Sequence, residues 1–142
     1  MEDRKIFEDR FKVEKIDPDN KTPFRNVSRI HMVSEYKLNM EVDINTQIYP
    51  IALKESFLIR VSNCDNVPNL YTPEDSNKPS EKDNFDYVTY GVVFDIIEKN
   101  NELTVFASFG GLIMRVNGKA NALSAFRKDG KEARIYLMIK RA

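Results

Sequence analysis

The sequence predicts an all-β protein, an antiparallel barrel or sandwich of about eight short strands with one long polar loop and one short helical turn. Three observations support this prediction. Apolar and polar residues alternate along most of the chain, turn-forming residues separate these runs at short intervals, and strands do not alternate with helices. The 142 residues can bury a substantial core, so we expect a single domain over residues 1–142.

The clearest strand covers residues 36–44. Its apolar residues occupy every second position, which places them on one face of an extended chain, whereas a helix would scatter them around its axis. The residues expected on the buried face are Tyr36, Leu38, Met40, Val42 and Ile44. Polar or charged residues lie between them, as in a strand that is half buried.

The same alternation predicts three further strands. The residues that share one face are Phe57, Ile59 and Val61 in residues 56–62, Val88, Tyr90, Val92, Phe94 and Ile96 in residues 85–97, and Ile135, Leu137 and Ile139 in residues 133–140. Each set is interpreted as the buried face of a half-buried strand. Residues 11–13 and 27–33 are typical of shorter strands.

Turn-forming residues separate the predicted strands. Asn and Gly adopt the positive φ that tight hairpins require, and Pro fixes the φ of the first turn position. The predicted turns cover residues 17–23, 49–50, 98–102, 117–118 and 128–131. Residues 120–126 resemble one or two turns of helix.

One segment, residues 63–84, departs from this pattern. It contains three of the six prolines, no glycine, and seven charged residues with a net charge of −3. Such a segment buries too little apolar surface to offset its ordering entropy, so we expect a long mobile loop.

Residues 104–118 contain two adjacent glycines, Gly110 and Gly111, inside a run that otherwise resembles a strand. The run lacks the glycine spacing and the Lys-Ser/Thr pair of phosphate-binding loops. Its apolar residues have odd numbers before the glycines and even numbers after them. A β-bulge or a sharp bend that inserts one residue would produce this shift, so we predict a strand that bends at the glycines.

Charge and cysteine content give few functional clues. Lys and Arg total 22, as do Asp and Glu, so the net charge is zero and gives no overall attraction to nucleic acid or membranes. The distribution is uneven, with −5 over residues 51–111 and +6 over residues 112–142. The single cysteine, the charged start of the chain and the lack of long apolar runs lead us to expect a soluble intracellular protein.

Candidate catalytic groups are few. His31 is the only histidine and Cys64 the only cysteine. The simpler interpretation of His31 is a structural or surface residue, and a lone cysteine does not predict a zinc site. The sequence leaves open a catalytic pair of Cys64 and His31. We therefore expect no active site, no metal and no cofactor. A barrel that carries a small ligand is a further class, but its cavity would need fewer large inward side chains.

Several stretches together resemble a known family. FEDRFKVEKIDPD, DINTQIYPI, FDYVTYGVVFDI, FASFGGLIMRVNGKANAL and RIYLMIK occur in this order between about Phe7 and Lys140. They are similar to the small subunit shared by the three eukaryotic nuclear RNA polymerases, the eighth subunit of RNA polymerase II. The most specific parts are Y-V-x-Y-G at 87–91 and S-F-G-G-L-I-M-R-V-x-G at 108–118. Phe109 stands where the family pattern has Tyr.

The resemblance implies a barrel related to the oligonucleotide/oligosaccharide-binding (OB) fold and a non-catalytic subunit in the nucleus. It also implies docking mainly on the largest polymerase subunit. We expect the glycine pair to admit a partner backbone, which could add to this strand, with apolar anchors and one exposed charge beside it. The candidate interface residues are Phe109, Gly110, Gly111, Leu112, Met114 and Arg115, and the alternative is that these apolar side chains belong to the core.

The main alternative function is weak, sequence-independent binding of single-stranded nucleic acid, which OB barrels achieve with aromatic and basic side chains. Residues 20–37 carry several such side chains and one acidic residue. The candidate contacts are Lys21, Phe24, Arg25, Arg29, His31 and Lys37. Tyr36 is expected in the core, which would reduce the surface available for base stacking.

Overall fold

The computed structural model describes residues 5–16, 26–63, 84–130 and 132–142, with the side chains of 127–129 excepted. Within these ranges the elements are β1 (Lys5–Ile16), β2 (Val27–Ser34), β3 (Asn39–Asn45), β4 (Ser56–Asn63), β5 (Tyr87–Lys99), β6 (Glu102–Phe109), β7 (Leu112–Lys119), α1 (Ser124–Asp129) and β8 (Arg134–Arg141). The all-β prediction is confirmed. The expected turn at 17–23 and all of the expected loop except Asn63 and Asn84 lie outside the described residues.

The strands form a closed barrel in the order β1-β2-β3-β7-β6-β5-β8-β4, and β4 pairs with β1 to complete it. Every neighbouring pair is antiparallel. Closure matters because an open sheet would present a row of unpaired backbone groups at each edge. The expected antiparallel barrel is therefore confirmed.

Alternation along the strands fills the interior. Phe57, Ile59 and Val61 of β4 are fully buried, as the sequence predicts. The short helix α1 adds to this core by packing Phe126 against β1, where its ring centroid lies 6.2 Å from that of Phe7. The barrel thus has a continuous apolar interior, and its polar groups lie mostly on the outer face.

Tyr36 is not in the core. Its side chain is 78% exposed, because β2 ends at Ser34 and β3 begins only at Asn39. The intervening residues form a turn in which Lys37 has a φ of 64° and the Ser34 hydroxyl accepts a hydrogen bond from the Leu38 N–H at 2.9 Å. The predicted alternation is correct for Leu38 and the residues after it and wrong for Tyr36.

The buried face of β5 is also different from the predicted one. Gly91 and Val93 point into the barrel, whereas Val92 and Phe94 are 36% and 49% exposed. Gly91 leaves room for Phe109 of β6, since a Cβ on Gly91 would lie 2.4 Å from Phe109 Cδ1. The register then shifts between Val93 and Asp95, so that Ile96 packs against the core as expected.

The glycine pair forms a hairpin turn, so the predicted bend within one strand is wrong. Gly110 and Gly111 have φ values of 65° and 96°, and the flanking Phe109 and Leu112 face each other across β6 and β7. Positive φ at both central residues is what a two-residue type I′ turn requires. Residues on either side of such a turn share one face, which explains why the apolar positions change from odd to even numbers.

Two other expected turns had different outcomes. The turn at 98–102 is confirmed, because Asn100 and Asn101 connect β5 to β6 with φ values of 52° and 65°. The expected turn at 117–118 is wrong, since Asn117 and Gly118 lie inside β7. Gly118 is buried against Leu38, whose Cδ2 would be 2.2 Å from a Cβ at this position. Close packing explains this glycine better than turn geometry does.

A polar cluster ties the start of β5 to the C-terminal strand and to the loop after β3. The Tyr49 hydroxyl donates to Asp86 Oδ2 at 3.0 Å, and the Arg141 guanidinium lies 4.7 Å from the centroid of the Tyr49 ring. Arg141 Nε donates to Glu55 Oε2 at 2.7 Å. Burial of Tyr49, together with its hydrogen bond to Asp86, raises the pKa of the phenol well above its usual range. Tyr49 is therefore a neutral hydrogen-bond donor near neutral pH.

Candidate partner-docking surface

The turn formed by Gly110 and Gly111, hereafter the glycine turn, is exposed at the end of the β6–β7 hairpin. A Cβ placed on Gly110 would have no atom within 4 Å. The Gly111 N–H donates to the Ser108 hydroxyl at 3.3 Å, which supports the turn from within the hairpin. The turn therefore presents backbone without side chains, and another chain could approach it closely.

The apolar residues beside the glycine turn point mostly inward. Phe109 and Met114 are buried in the barrel core, and Leu112 is half-buried against it. Phe109 and Met114 are therefore core residues in the described barrel, as the alternative interpretation held, and Leu112 is the one of the three with exposed surface. The glycines themselves form a turn, and β6 and β7 are each paired on both sides. A partner strand of the kind expected therefore finds no free edge of β6 or β7 at the glycines.

Arg115 lies on the outer surface of β7 and is half-buried. Its register partners are Phe106 on β6 and Glu41 on β3. Outer residues of neighbouring strands in register have their side chains close together. The Arg115 side chain therefore lies between the apolar Phe106 on β6 and the acidic Glu41 on β3.

Asp43 fixes the position of the hairpin. Its carboxylate is buried on the outer side of β3 and accepts hydrogen bonds from Arg29 Nε at 2.8 Å and Arg29 Nη2 at 3.2 Å. Asp43 Oδ2 also accepts the Ile113 N–H at 3.0 Å, one residue beyond the end of the β3–β7 ladder. These bonds hold the glycine turn in place. No sequence pattern indicates this role, since it depends on the register of three strands.

The candidate nucleic-acid residues do not form one described site. Lys21, Phe24 and Arg25 lie outside the described residues. Arg29 is paired with Asp43, and the half-buried His31 is in register with Lys15 and Glu41. Lys37 lies at the turn after β2, where a groove of about 490 Å³ is lined mainly by polar residues: Tyr36, Lys37, Asn39, Glu102, Asn117, Gly118, Lys119, Asn121 and Ala122. Neither Arg29 nor His31 lines this groove.

The outer side of β5 is apolar, which alternation does not predict, because Val88, Tyr90, Val92 and Phe94 are expected on the buried face. Phe94 pairs with Phe106 of β6 at a centroid distance of 6.0 Å, and Tyr90 pairs with Tyr136 of β8 at 5.8 Å. We call this surface the β5 outer face, formed by Val88, Tyr90, Val92, Phe94, Phe106 and Tyr136. The detectable signal is that β5 carries apolar residues on both faces, whereas a half-buried strand has one polar face.

Among the described residues, no three His, Cys, Asp or Glu side chains are grouped so that they could hold a metal ion. None of the described helices has the length and hydropathy needed to cross a membrane.

Comparison with known proteins identifies the family. The model of the RNA polymerase Rpb8 family matches residues 8–141, which is nearly the whole chain. The chain belongs to the RNA polymerase Rpb8 family. The resemblance noted from the sequence motifs is thereby confirmed.

Individual proteins match over nearly their whole length. The DNA-directed RNA polymerases I, II, and III subunit rpabc3 of Dictyostelium discoideum is 41% identical, over 96% of this chain and 97% of the relative. The corresponding subunit RPABC3 of Schizosaccharomyces pombe is 32% identical, over 99% of this chain and all of the relative. A probable subunit RPABC3 of Caenorhabditis briggsae is 34% identical over 96% of this chain.

The motifs that suggested the Rpb8 family meet in three dimensions. Gly91, at the end of the Y-V-x-Y-G motif, faces Phe109 of the S-F-G-G motif. Tyr87, at the start of the first motif, stacks on Tyr49 of the I-Y-P stretch with ring centroids 5.6 Å apart. The three stretches therefore pack together around the first half of β5. This packing explains why a glycine stands at position 91 and aromatic residues at positions 49, 87 and 109. It also places the motif residues next to the glycine turn.

Proposed function

We propose that this chain is a common subunit of DNA-directed RNA polymerases I, II and III and acts in the nucleus as a component of these assemblies. The full-length family match carries the proposal. The names of its relatives from an amoeba and a fission yeast describe subunits of all three polymerases. We extend this assignment to the chain because relatives of such length and identity keep one fold and, commonly, one place in an assembly.

We propose further that the contribution of this chain is structural and that the chain is one barrel domain that docks on the largest polymerase subunit. The polar clusters of the described residues support a structural role, because their bonds join strands to each other. Asp43 links β3 to β2 and β7, and the cluster around Tyr49 links three segments of the chain. The exposed glycine turn is the point at which we place the partner.

The test is affinity purification of the tagged chain from nuclei, followed by mass spectrometry. The proposal expects subunits of all three polymerases, with the largest subunits recovered in amounts similar to the bait. The purified chain alone should not polymerise or hydrolyse nucleotides. A stable pool that contains no polymerase subunit, or catalytic turnover by the isolated chain, would contradict the proposal.

A further inference from the structure

The outer surface of most strands in this barrel is polar or charged, but β5 is different. Val88, Val92 and Phe94 are exposed on this strand, and Ile97 near its end is exposed as well. A contiguous apolar patch on an otherwise polar surface marks an interaction site more often than isolated apolar residues do. The β5 outer face therefore requires an explanation beyond the stability of the barrel.

We propose that the β5 outer face is the surface on which an apolar segment of another polymerase subunit docks, together with the glycine turn. This inference rests on the proposed function and specifies the contact surface. A partner segment that fits the β5 outer face has apolar side chains at its centre and acidic residues at its edge. Burial of the exposed aromatic and aliphatic groups would supply most of the binding energy.

The arrangement of neighbouring strands makes the surface continuous. Val92 is in register with Arg134 on β8 and Ser108 on β6. The ring pairs Phe94–Phe106 and Tyr90–Tyr136 extend the apolar surface across β6 and β8. Three strands thus contribute to one surface, and it includes aromatic side chains, which are enriched at the centres of protein interfaces.

The same surface reaches the glycine turn. β6 pairs with β5 only from Val92 onward, so the first residues of β5 extend past the end of the β6–β7 hairpin. The β5–β6 ladder begins with Val92 opposite Ser108, which lies two residues before Gly110. A partner seated on the β5 outer face would therefore meet the exposed backbone of Gly110 and Gly111. One partner segment can cover both features.

Charge favours a protein with acidic residues at the rim. Arg134 is in register with Val92, and Arg115 is in register with Phe106. The structure records no ion pair for either arginine within the described residues. A phosphate backbone carries a charge at every nucleotide and would also meet Asp95 and Glu98 on β5, whereas a protein segment can place its few acidic residues opposite the two arginines alone. A protein segment is therefore favoured over a nucleic acid.

The test compares substitutions on the β5 outer face with a matched control elsewhere. Val92→Asp and Phe94→Asp place a charge on the surface, and Leu53→Asp places the same charge on an exposed apolar residue in a loop that bonds to β1. Each tagged variant is expressed in place of the native chain, and the largest polymerase subunits that co-purify after nuclease treatment are quantified. We expect recovery to fall about tenfold or more for the two β5 variants and to stay unchanged for Leu53→Asp.

Three further variants separate the possible causes of a loss. Val92→Thr and Phe94→Thr keep a residue that suits a strand, so they preserve the barrel if the Asp variants do not fold, and they should lower recovery in the same direction. Phe94→Arg should lose the polymerase as Phe94→Asp does. Retention by Phe94→Arg alone, with tighter binding of a single-stranded oligothymidine, would assign the surface to nucleic acid and overturn the inference.

The outcomes distinguish this inference from the proposed function. If the wild-type chain and every folded β5 variant recover the polymerases equally, the β5 outer face is not the docking surface, and the proposed function stands. If the wild-type chain itself recovers no polymerase subunit, the proposed function fails. Selective loss in the β5 variants, with normal thermal unfolding of the purified proteins, supports the inference.

Discussion

Gly91 shows how one residue can set the face of a whole strand. The Phe109 ring occupies the space that a side chain at this position would need, and a Cβ on Gly91 would also lie 2.5 Å from the Ser108 carbonyl oxygen. A ring could move, but the backbone of a paired strand cannot move without disturbing the barrel. This contact directs Val93 inward and leaves Val92 and Phe94 outside.

We therefore expect Gly91→Ala to destabilise the barrel by about 1–3 kcal/mol through overpacking. Thermal or urea unfolding of the purified variant measures this effect. Gly110→Ala is a useful comparison, because its Cβ has open space and only the positive φ opposes it, at about 1 kcal/mol. A Gly91→Ala variant as stable as the wild type would show that Phe109 does not occupy this space.

A second residue-scale prediction concerns pH. Burial by itself would raise the pKa of Glu55, but hydrogen bonds from the Ala52 N–H and from Arg141 outweigh this effect, and the pKa is lowered from its ordinary value of 4.5. A carboxyl whose pKa is lower in the folded state stabilises that state above its unfolded pKa. This contribution disappears as the pH falls through the folded pKa.

Glu55→Gln should therefore reduce stability near pH 7 and make little difference at a pH below the folded pKa of Glu55. Urea unfolding of both proteins at a series of pH values between about 7 and 2.5 gives the comparison. Arg141→Gln, which removes the other partner of the ion pair, should reproduce the loss near neutral pH. A difference between wild type and Glu55→Gln that stays constant over the whole range would contradict this account.

At the scale of the element, the β6–β7 hairpin joins folding to docking. Its turn requires positive φ at both positions, a conformation that Asn tolerates and that a β-branched residue does not. Gly110→Val should therefore destabilise the protein by about 1–2 kcal/mol, whereas Gly110→Asn should unfold close to the wild type. If the turn also contacts a partner, Gly110→Asn should lose polymerase in pull-downs despite its normal stability. If Gly110→Val unfolds like the wild type and also recovers polymerase like the wild type, Gly110 is required neither for the turn nor for docking.

The strands also show what could be predicted from the sequence. Phe57, Ile59 and Val61 were placed correctly because polar residues alternate with them and only one face can be buried. Alternation cannot identify the buried face of β5, because both faces of this strand are apolar. The parity shift at the glycine pair does not distinguish a bend from a turn, because a bulge and a two-residue hairpin cause the same shift. Contacts such as Arg29–Asp43 depend on strand register, which local patterns do not fix.

At the scale of the whole molecule, a closed barrel restricts how a partner can bind. Closure leaves few strand edges to extend, so a partner must use side chains of the outer surface and the turns between strands. The glycine turn and the β5 outer face lie side by side and combine exposed backbone with exposed apolar groups. We regard this combined surface as the feature that holds the chain in the polymerase.

The most direct test of this claim is site-specific photo-crosslinking in the assembled polymerase. A photoreactive amino acid is placed at Val92, at Gly111 or, as the control, at Leu53, and crosslinked partners are identified by mass spectrometry. We predict crosslinks to the largest subunit from positions 92 and 111 and none from position 53. Crosslinks to that subunit from position 53 alone, with positions 92 and 111 unreacted in intact polymerase, would contradict it.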